Sequence, residues 1–104
     1  MATDGKVSGV KVTHKGEQRV IDIDGVFVFV GLSPNTDFLK NTDIKLDAQR
    51  LIETDAKLQT SMPGVFASGD VRSGATMQIA SAVGEGASAA LAIREYLEEL
   101  ARQK

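Results

Sequence analysis

An α/β fold is what this sequence predicts, and three observations carry the prediction. Two period-two segments on either side of a polar turn, near the start, read as an antiparallel hairpin. Val26–Val30 is apolar on both faces, the pattern of a strand covered on both sides inside a layered α/β fold. From Thr76 to about Arg102 there is no Pro, and apolar residues recur at intervals of three and four, which is one long helix.

Each element follows from local chemistry. Val10 and Val12 alternate with Lys11 and Thr13, so Val7–Thr13 reads as a strand, and Gln18–Ile23 resumes as its partner after the turn His14-Lys15-Gly16-Glu17. This hairpin has one wet face. Asp24-Gly25 breaks the pattern, and Gly25–Val30 follows as the buried strand. Gly31-Leu-Ser-Pro-Asn-Thr36 ends it with a loop, because Pro34 lacks a donor. Thr36–Lys40 suits one helical turn, residues 41–50 are polar and irregular, and Leu51–Glu53 suits a short strand. Ser61-Met-Pro-Gly64 punctuates the chain before a brief apolar strand, Val65–Ala67, and a corner at Ser68-Gly69-Asp70. In the long helix Thr76 is the expected N-cap. Ile79, Val83, Ala87, Ala90, Ile93, Leu97 and Leu100 mark one face, and Arg94 and Glu98 form an i,i+4 ion pair on the outer side. Gly84, Gly86 and the small residues at 87–90 mark either a weak spot or close approach by another backbone or a flat ligand.

Composition narrows the function. The 104 residues carry twelve basic and fourteen acidic side chains, a net charge of −2, which excludes the broad basic face of a nucleic-acid binder. With no cysteine there is no disulfide, no thiolate metal site and no cysteine nucleophile. The longest apolar run, Val26–Val30, is far too short for a membrane span, and the first residues do not resemble a signal peptide. The expected setting is soluble and cytoplasmic. His14 reads as a solvated turn residue rather than a ligand, and Glu53, Asp43, Asp47 and Asp55 lack calcium-loop spacing, so no metal site is expected.

The informative stretch is Gly64 to Ile79: a short strand, a Gly-Asp corner, a loop and the first turn of a helix. A helix N-terminus offers unpaired N–H groups and partial positive charge, which stabilise an oxygen that gains negative charge. Asp70, at a strand end, can accept hydrogen bonds from ligand hydroxyls, and Gly69 lets a ligand approach the backbone. A Gly-Asp pair after a strand is also a common plain turn. Arg72 can pair with Asp70 or meet a phosphate, and Glu85 suits a surface or helix–loop contact.

With its flanks, the stretch resembles a known family. Thr60-Ser-Met-Pro-Gly-Val-Phe-Ala-Ser-Gly-Asp-Val71 is similar to the second flavin-binding motif of flavoprotein disulfide reductases with two dinucleotide domains. Gly25-Val-Phe-Val-Phe-Val-Gly-Leu-Ser-Pro-Asn-Thr36 looks like the segment leaving their NAD(P)H domain. Gln78 and Gly84-Glu-Gly-Ala87 resemble the bacterial, low-molecular-weight thioredoxin reductases. The resemblance runs from about Val7 to Leu100. It implies that residues 1–31 end the NAD(P)H-binding domain, and that residues 32–104 are the C-terminal part of the FAD-binding domain in a partial, Rossmann-like three-layer fold. It implies that Asp70 hydrogen-bonds a hydroxyl of the FAD ribityl chain beside Gly69, that the Val71 amide lies near the FAD phosphates, and that Met77, Gln78 and Ile79 meet the pyrimidine edge of the isoalloxazine. Met77 stands where many members carry Arg, so the charge of that residue is missing.

The absences complete the expectation. No Gly-x-Gly-x-x-Gly occurs for FAD or NAD(P)H, and no Cys-x-x-Cys can exist. The resemblance therefore implies the C-terminal third of an enzyme that passes reducing equivalents from NAD(P)H through FAD to a disulfide. Such a piece has no catalytic residue of its own and is expected to be inactive alone. Its expected partners are FAD and the missing N-terminal portion or another copy of the chain, because Val26–Val30 and one helix face lack their covering layers. A ferredoxin–NADP or peroxiredoxin reductase of the same fold, and a stand-alone interaction module, are the alternatives.

Overall fold

The structure, a computed structural model, describes residues 2–104 apart from the Thr3 side chain. Two compact units divide the chain, one ending at Leu32 and one spanning Ser33–Lys104.

The first unit is made of two small antiparallel pairs. Strand β1 (Ala2–Thr3) pairs with β2 (Lys6–Val7), an element that residue alternation does not predict. Strand β3 (Gly9–His14) pairs with β4 (Glu17–Asp22), with Val10 opposite Ile21 and Val12 opposite Arg19. The expected hairpin is there, and its Lys15-Gly16 link takes positive φ at both residues (49° and 84°), as a two-residue hairpin turn requires. It is wetter than expected: every residue of β4 is exposed, Val20 and Ile21 included.

Val26–Val30 departs from its expectation. The segment forms no strand, and its side chains are 52% to 90% exposed. Phe27 and Phe29 stack on each other, ring centroids 6.3 Å apart, and that is their one aromatic contact. The cause is physical: a strand apolar on both faces needs paired edges and a layer on each side, and no described residue pairs with it.

The second unit builds its core from loops. Leu39, Ile44, Ile52 and Ala67 form the buried cluster, with Leu46, Met62, Val65 and Val71 packed against it. A 3₁₀ turn at Asp37–Leu39 delivers Leu39, and the fully buried Thr36 before it donates its hydroxyl to the Arg50 carbonyl at 2.8 Å. Single bridges replace the expected short strands. Ile52 pairs with Leu46 on one side and Arg72 on the other, and Phe66 pairs with Gln59. Aspartates close the intervening turns: Asp47 Oδ1 accepts the amides of Gln49 and Leu51 at 2.9 Å, and Asp55 Oδ1 accepts those of Lys57 and Gln59 at 2.8 and 3.0 Å.

Helix α1 spans Ile79–Arg102. It begins two residues later than the Thr76 cap predicts, because Met77 adopts a left-handed φ of 56° and Gln78 is extended. The face it packs also differs from the expected apolar one. Ala82, Glu85, Ala89, Ala92 and Tyr96, spaced three and four apart, are covered, with Ser81 beside the first of them. Tyr96 meets Phe66 edge-on with centroids 6.0 Å apart. The stripe through Ile79 (87% exposed), Val83, Ala90 and Leu97 (57%) stays uncovered, in line with the expectation that one helix face lacks its layer. Gly84 and Gly86 have nothing within 4 Å of where a Cβ would sit, so no described backbone approaches them. The Arg94–Glu98 pair forms as expected, Nε to Oε1 at 2.8 Å. Among the described residues no helix is long and apolar enough to cross a membrane.

Candidate functional site

The site grows from the corner that follows Ala67. Ile52 donates its amide to the Val71 carbonyl at 2.7 Å and accepts from the Ser73 amide at 2.8 Å, which pins the far side of the corner to the core. Gly69 turns the chain with φ of 79°, and its carbonyl accepts from the Arg72 amide at 3.0 Å. Asp70 is left at the exposed apex, and its carboxylate has no hydrogen bond or ion pair among the described residues.

The near side of the corner is tied to α1 by one carboxylate. Glu85 Oε2 accepts the Gly69 amide at 2.7 Å and Arg72 Nε at 3.0 Å, while Oε1 accepts Arg72 Nη2 at 2.5 Å. Both side chains are largely buried, 18% and 17% exposed for Arg72 and Glu85. Arg72 Nη1 also donates to the Ser73 carbonyl at 3.0 Å. The Arg72 hydrogen bond, and after it the Gly69 N–H, hold the Glu85 carboxyl below its ordinary value. The same pairing pushes Arg72 above its own. Arg72 does not pair with Asp70: it pairs with Glu85, whose expected helix–loop contact this is.

The loop then runs to α1 through Met77 and Gln78. No side chain caps the helix, and its first closing bond runs from the Ala82 amide to the Gln78 carbonyl at 3.0 Å. The amides of Ile79, Ala80 and Ser81 precede that bond and remain open donors, with the partial positive charge of the helix end behind them.

Asp70, Met77, Gln78, Ile79, Ala82 and Val83 line one open cavity of about 490 Å³. Its chemistry is mixed: the free carboxylate of Asp70 on the loop, open amides at the start of α1, and the apolar side chains of Met77, Ile79, Ala82 and Val83. A ligand with hydroxyls, a flat apolar body and an electron-rich edge matches that mixture. Two of the residues expected at the site, Gly69 and Val71, are not among the side chains that line it. Gly69 gives its amide to Glu85, and its nearest neighbour for an added Cβ is Ala82 at 3.7 Å. Val71 packs on the core cluster. Sequence alone did not place Ala82 and Val83 in the lining, or join Glu85 to Arg72. The one signal for them was the spacing of Ala82, Glu85 and Ala89 along α1, with an acidic residue set between two glycines.

Comparison with known proteins gives a consistent result. The profile of a family described as pyridine nucleotide-disulphide oxidoreductase matches residues 1–86. The F component of the alkyl hydroperoxide reductase of Pseudomonas putida is 48% identical over 94 residues, which cover 88% of this chain and 18% of that protein. The thioredoxin reductase of Listeria monocytogenes is 42% identical over 100 residues, covering 93% of this chain and 31% of its own length. Among solved structures, the thioredoxin reductase of T. acidophilum superposes with a TM-score of 0.77 at 49% identity, over 95% of this chain and 33% of that one. The thioredoxin reductase of Lactococcus lactis gives a TM-score of 0.77 at 36% identity, with the same coverage. The chain thus spans a third or less of the length of these relatives.

Proposed function

The chain belongs to the pyridine nucleotide-disulphide oxidoreductase family, and from that premise we propose that it supplies the ribityl and isoalloxazine side of an FAD site in a thioredoxin-reductase-like flavoprotein. One observation carries the reading: the unpaired carboxylate of Asp70 and the uncapped start of α1 face a single cavity. The residues present fit the group. Asp70 accepts hydrogen bonds from the hydroxyls of the ribityl chain. Met77, Ile79 and Val83 offer apolar surface to a ring. The open amides of Ile79 and Ala80, with the helix dipole, meet the edge of the ring where electron density collects, and Gln78 adds a side-chain amide. Gly69 and Val71 support the corner, the first by its turn and the second by its anchorage on the core.

Bound there, FAD supplies the carrier through which reducing equivalents pass from NAD(P)H to a disulfide. The chain's own residues bind and orient; with no cysteine in the sequence, the dithiol must come from outside these 104 residues. On this reading residues 1–31 close the NAD(P)H-binding domain and residues 32–104 belong to the FAD-binding domain of a three-layer fold. The uncovered Val26–Val30 and the Ile79–Leu97 stripe meet the missing N-terminal portion of the flavoprotein, or another copy of this chain. Alone, the chain binds FAD weakly and turns nothing over. A dithiol-reducing role suits the cytoplasm, where thiols are kept reduced.

Titration of the purified chain with FAD, read by flavin fluorescence, tests the site. A weak saturable response that Asp70→Ala removes supports it, and no response at millimolar FAD overturns binding by the chain alone. The 48% identity to a component of an alkyl hydroperoxide reductase favours a second reading, in which the acceptor is a peroxiredoxin system rather than thioredoxin. The coding sequence around this chain, with its Cys-x-x-Cys and further domains or without them, separates the two, and an interaction module that has lost FAD altogether fails the titration.

A further inference from the structure

The two walls of the cavity come from two neighbouring parts of the chain that one side chain joins by hydrogen bonds. Asp70 rides on an exposed corner, and Met77–Val83 belongs to the start of α1. Among the described residues, every hydrogen bond that joins residues 68–74 to α1 ends on Glu85. We infer that Glu85 is the positioning residue of this site, its carboxylate fixing the separation between the Asp70 corner and the open amides of the helix. The inference rests on the flavin reading above for its ligand, and on the geometry alone for the clamp.

Glu85 sits one helical turn after Ala82, so its side chain reaches back to the corner just behind the cavity wall. Three donors converge on it: one backbone amide and two guanidinium N–H groups in a fork. Charge-assisted bonds of this kind are short and directional, and the planar guanidinium fixes the carboxylate plane as well as its distance. Gly69 completes the arrangement: a Cβ added there would come within 3.7 Å of the Ala82 side chain, so the corner lies close against the helix. Glu85 does not line the cavity. It acts through the Gly69 amide, one residue before Asp70, and through Arg72, two residues after it. The corner is therefore gripped on both sides of the carboxylate that faces the ligand. Aspartate is a methylene too short to meet Gly69 and Arg72 together, and glutamine keeps one acceptor but loses the charge.

The test follows backbone amides of the full 104-residue chain by nuclear magnetic resonance, with FAD as the probe. In the unsubstituted chain the amides of Asp70 and of Gln78–Ala80 shift along one common binding curve. In Glu85→Ala, Gly69 amide exchange without FAD speeds at least tenfold, and the Asp70 response weakens at least tenfold relative to that of Ile79 and Ala80. Glu85→Gln falls between, and it carries the test if the alanine variant does not fold. A single unchanged curve in both variants overturns the positioning role. So does an equal weakening at both walls, which marks general loosening. If the unsubstituted chain shows no response to FAD, binding by the chain alone falls and the clamp is judged by exchange alone: accelerated Gly69 exchange supports it, and unchanged exchange overturns it.

Discussion

Residues 25–31 and residues 64–69 begin alike. Each opens Gly-Val-Phe, continues through apolar or small residues and closes on a glycine with positive φ. In the first, Val26–Val30 lies exposed with no ladder hydrogen bonds. In the second, Val65 joins the core, Phe66 bridges Gln59 and meets Tyr96, and the Ala67 amide bonds the Leu58 carbonyl at 3.0 Å. The second run finds its partners a few residues upstream and on α1. The first has strand chemistry on both faces but no partner among the described residues. Apolar content states how much burial a segment wants; nearby partners decide whether it gets it.

The widest separation between the two runs should appear when their phenylalanines are truncated. Phe66→Ala removes a half-buried ring from between Gln59 and Tyr96, and should cost about 2–3 kcal/mol, somewhat under the range for a full core position. Phe27→Ala removes a ring in solvent, and should change stability by less than about 0.5 kcal/mol. Urea denaturation of both variants gives the comparison. Equal losses would mean that residues 25–31 are packed in solution, and the contrast would fail.

The second run also leads directly into the Arg72–Glu85 pair, and the first has no such anchor among the described residues. Arg72→Met should cost about 2 kcal/mol, less than for a fully buried pair, because it strands a largely buried carboxylate with the Gly69 amide as its remaining donor. The pH dependence has a definite sign. The folded pKa of Glu85 lies below its ordinary value, chiefly through the Arg72 hydrogen bond and then the Gly69 N–H. Its contribution is therefore fully present above the unfolded carboxyl's pKa, about 4.3, and is lost as pH falls through the lowered folded value. Acid denaturation of the unsubstituted chain should show this slope below about pH 4, and Arg72→Met should flatten it. An identical acid slope in the variant would remove the pair from the account.

The same contrast explains how much could be read beforehand. The β3–β4 hairpin was legible because its turn and alternation are local. The Gly69–Asp70 corner and Gln78 were legible as ordered motifs, and the structure does bring Asp70, Met77, Gln78 and Ile79 to one cavity. The Gly69–Glu85 bond spans 16 residues and depends on where α1 starts, which Met77 sets by a left-handed backbone that its side chain does not advertise. The packed face of α1 was hidden for a different reason. Its alanines carry less apolar side-chain surface than the Ile79–Leu97 stripe, so periodicity pointed to the side that stays uncovered.

The smallest expected difference lies in the closing glycines. Gly69 and Gly31 both hold positive φ, 79° and 99°, where a side chain is strained by roughly 1–2 kcal/mol. At Gly69 the backbone cannot relax, because its amide is bound to Glu85 and its carbonyl to the Arg72 amide. Nor does the new methyl collide, since 3.7 Å to Ala82 is ordinary contact. Gly69→Ala should therefore incur the dihedral cost and little else, about 1 kcal/mol. At Gly31 no hydrogen bond among the described residues holds the turn and nothing lies within 4 Å of an added Cβ, so the segment can rotate to negative φ. Gly31→Ala should then be neutral or slightly stabilising, by roughly a few tenths of a kcal/mol, through the smaller entropy of the unfolded chain. A loss at Gly31 as large as at Gly69 would show that the first run is held in place after all, by contacts its exposure does not reveal.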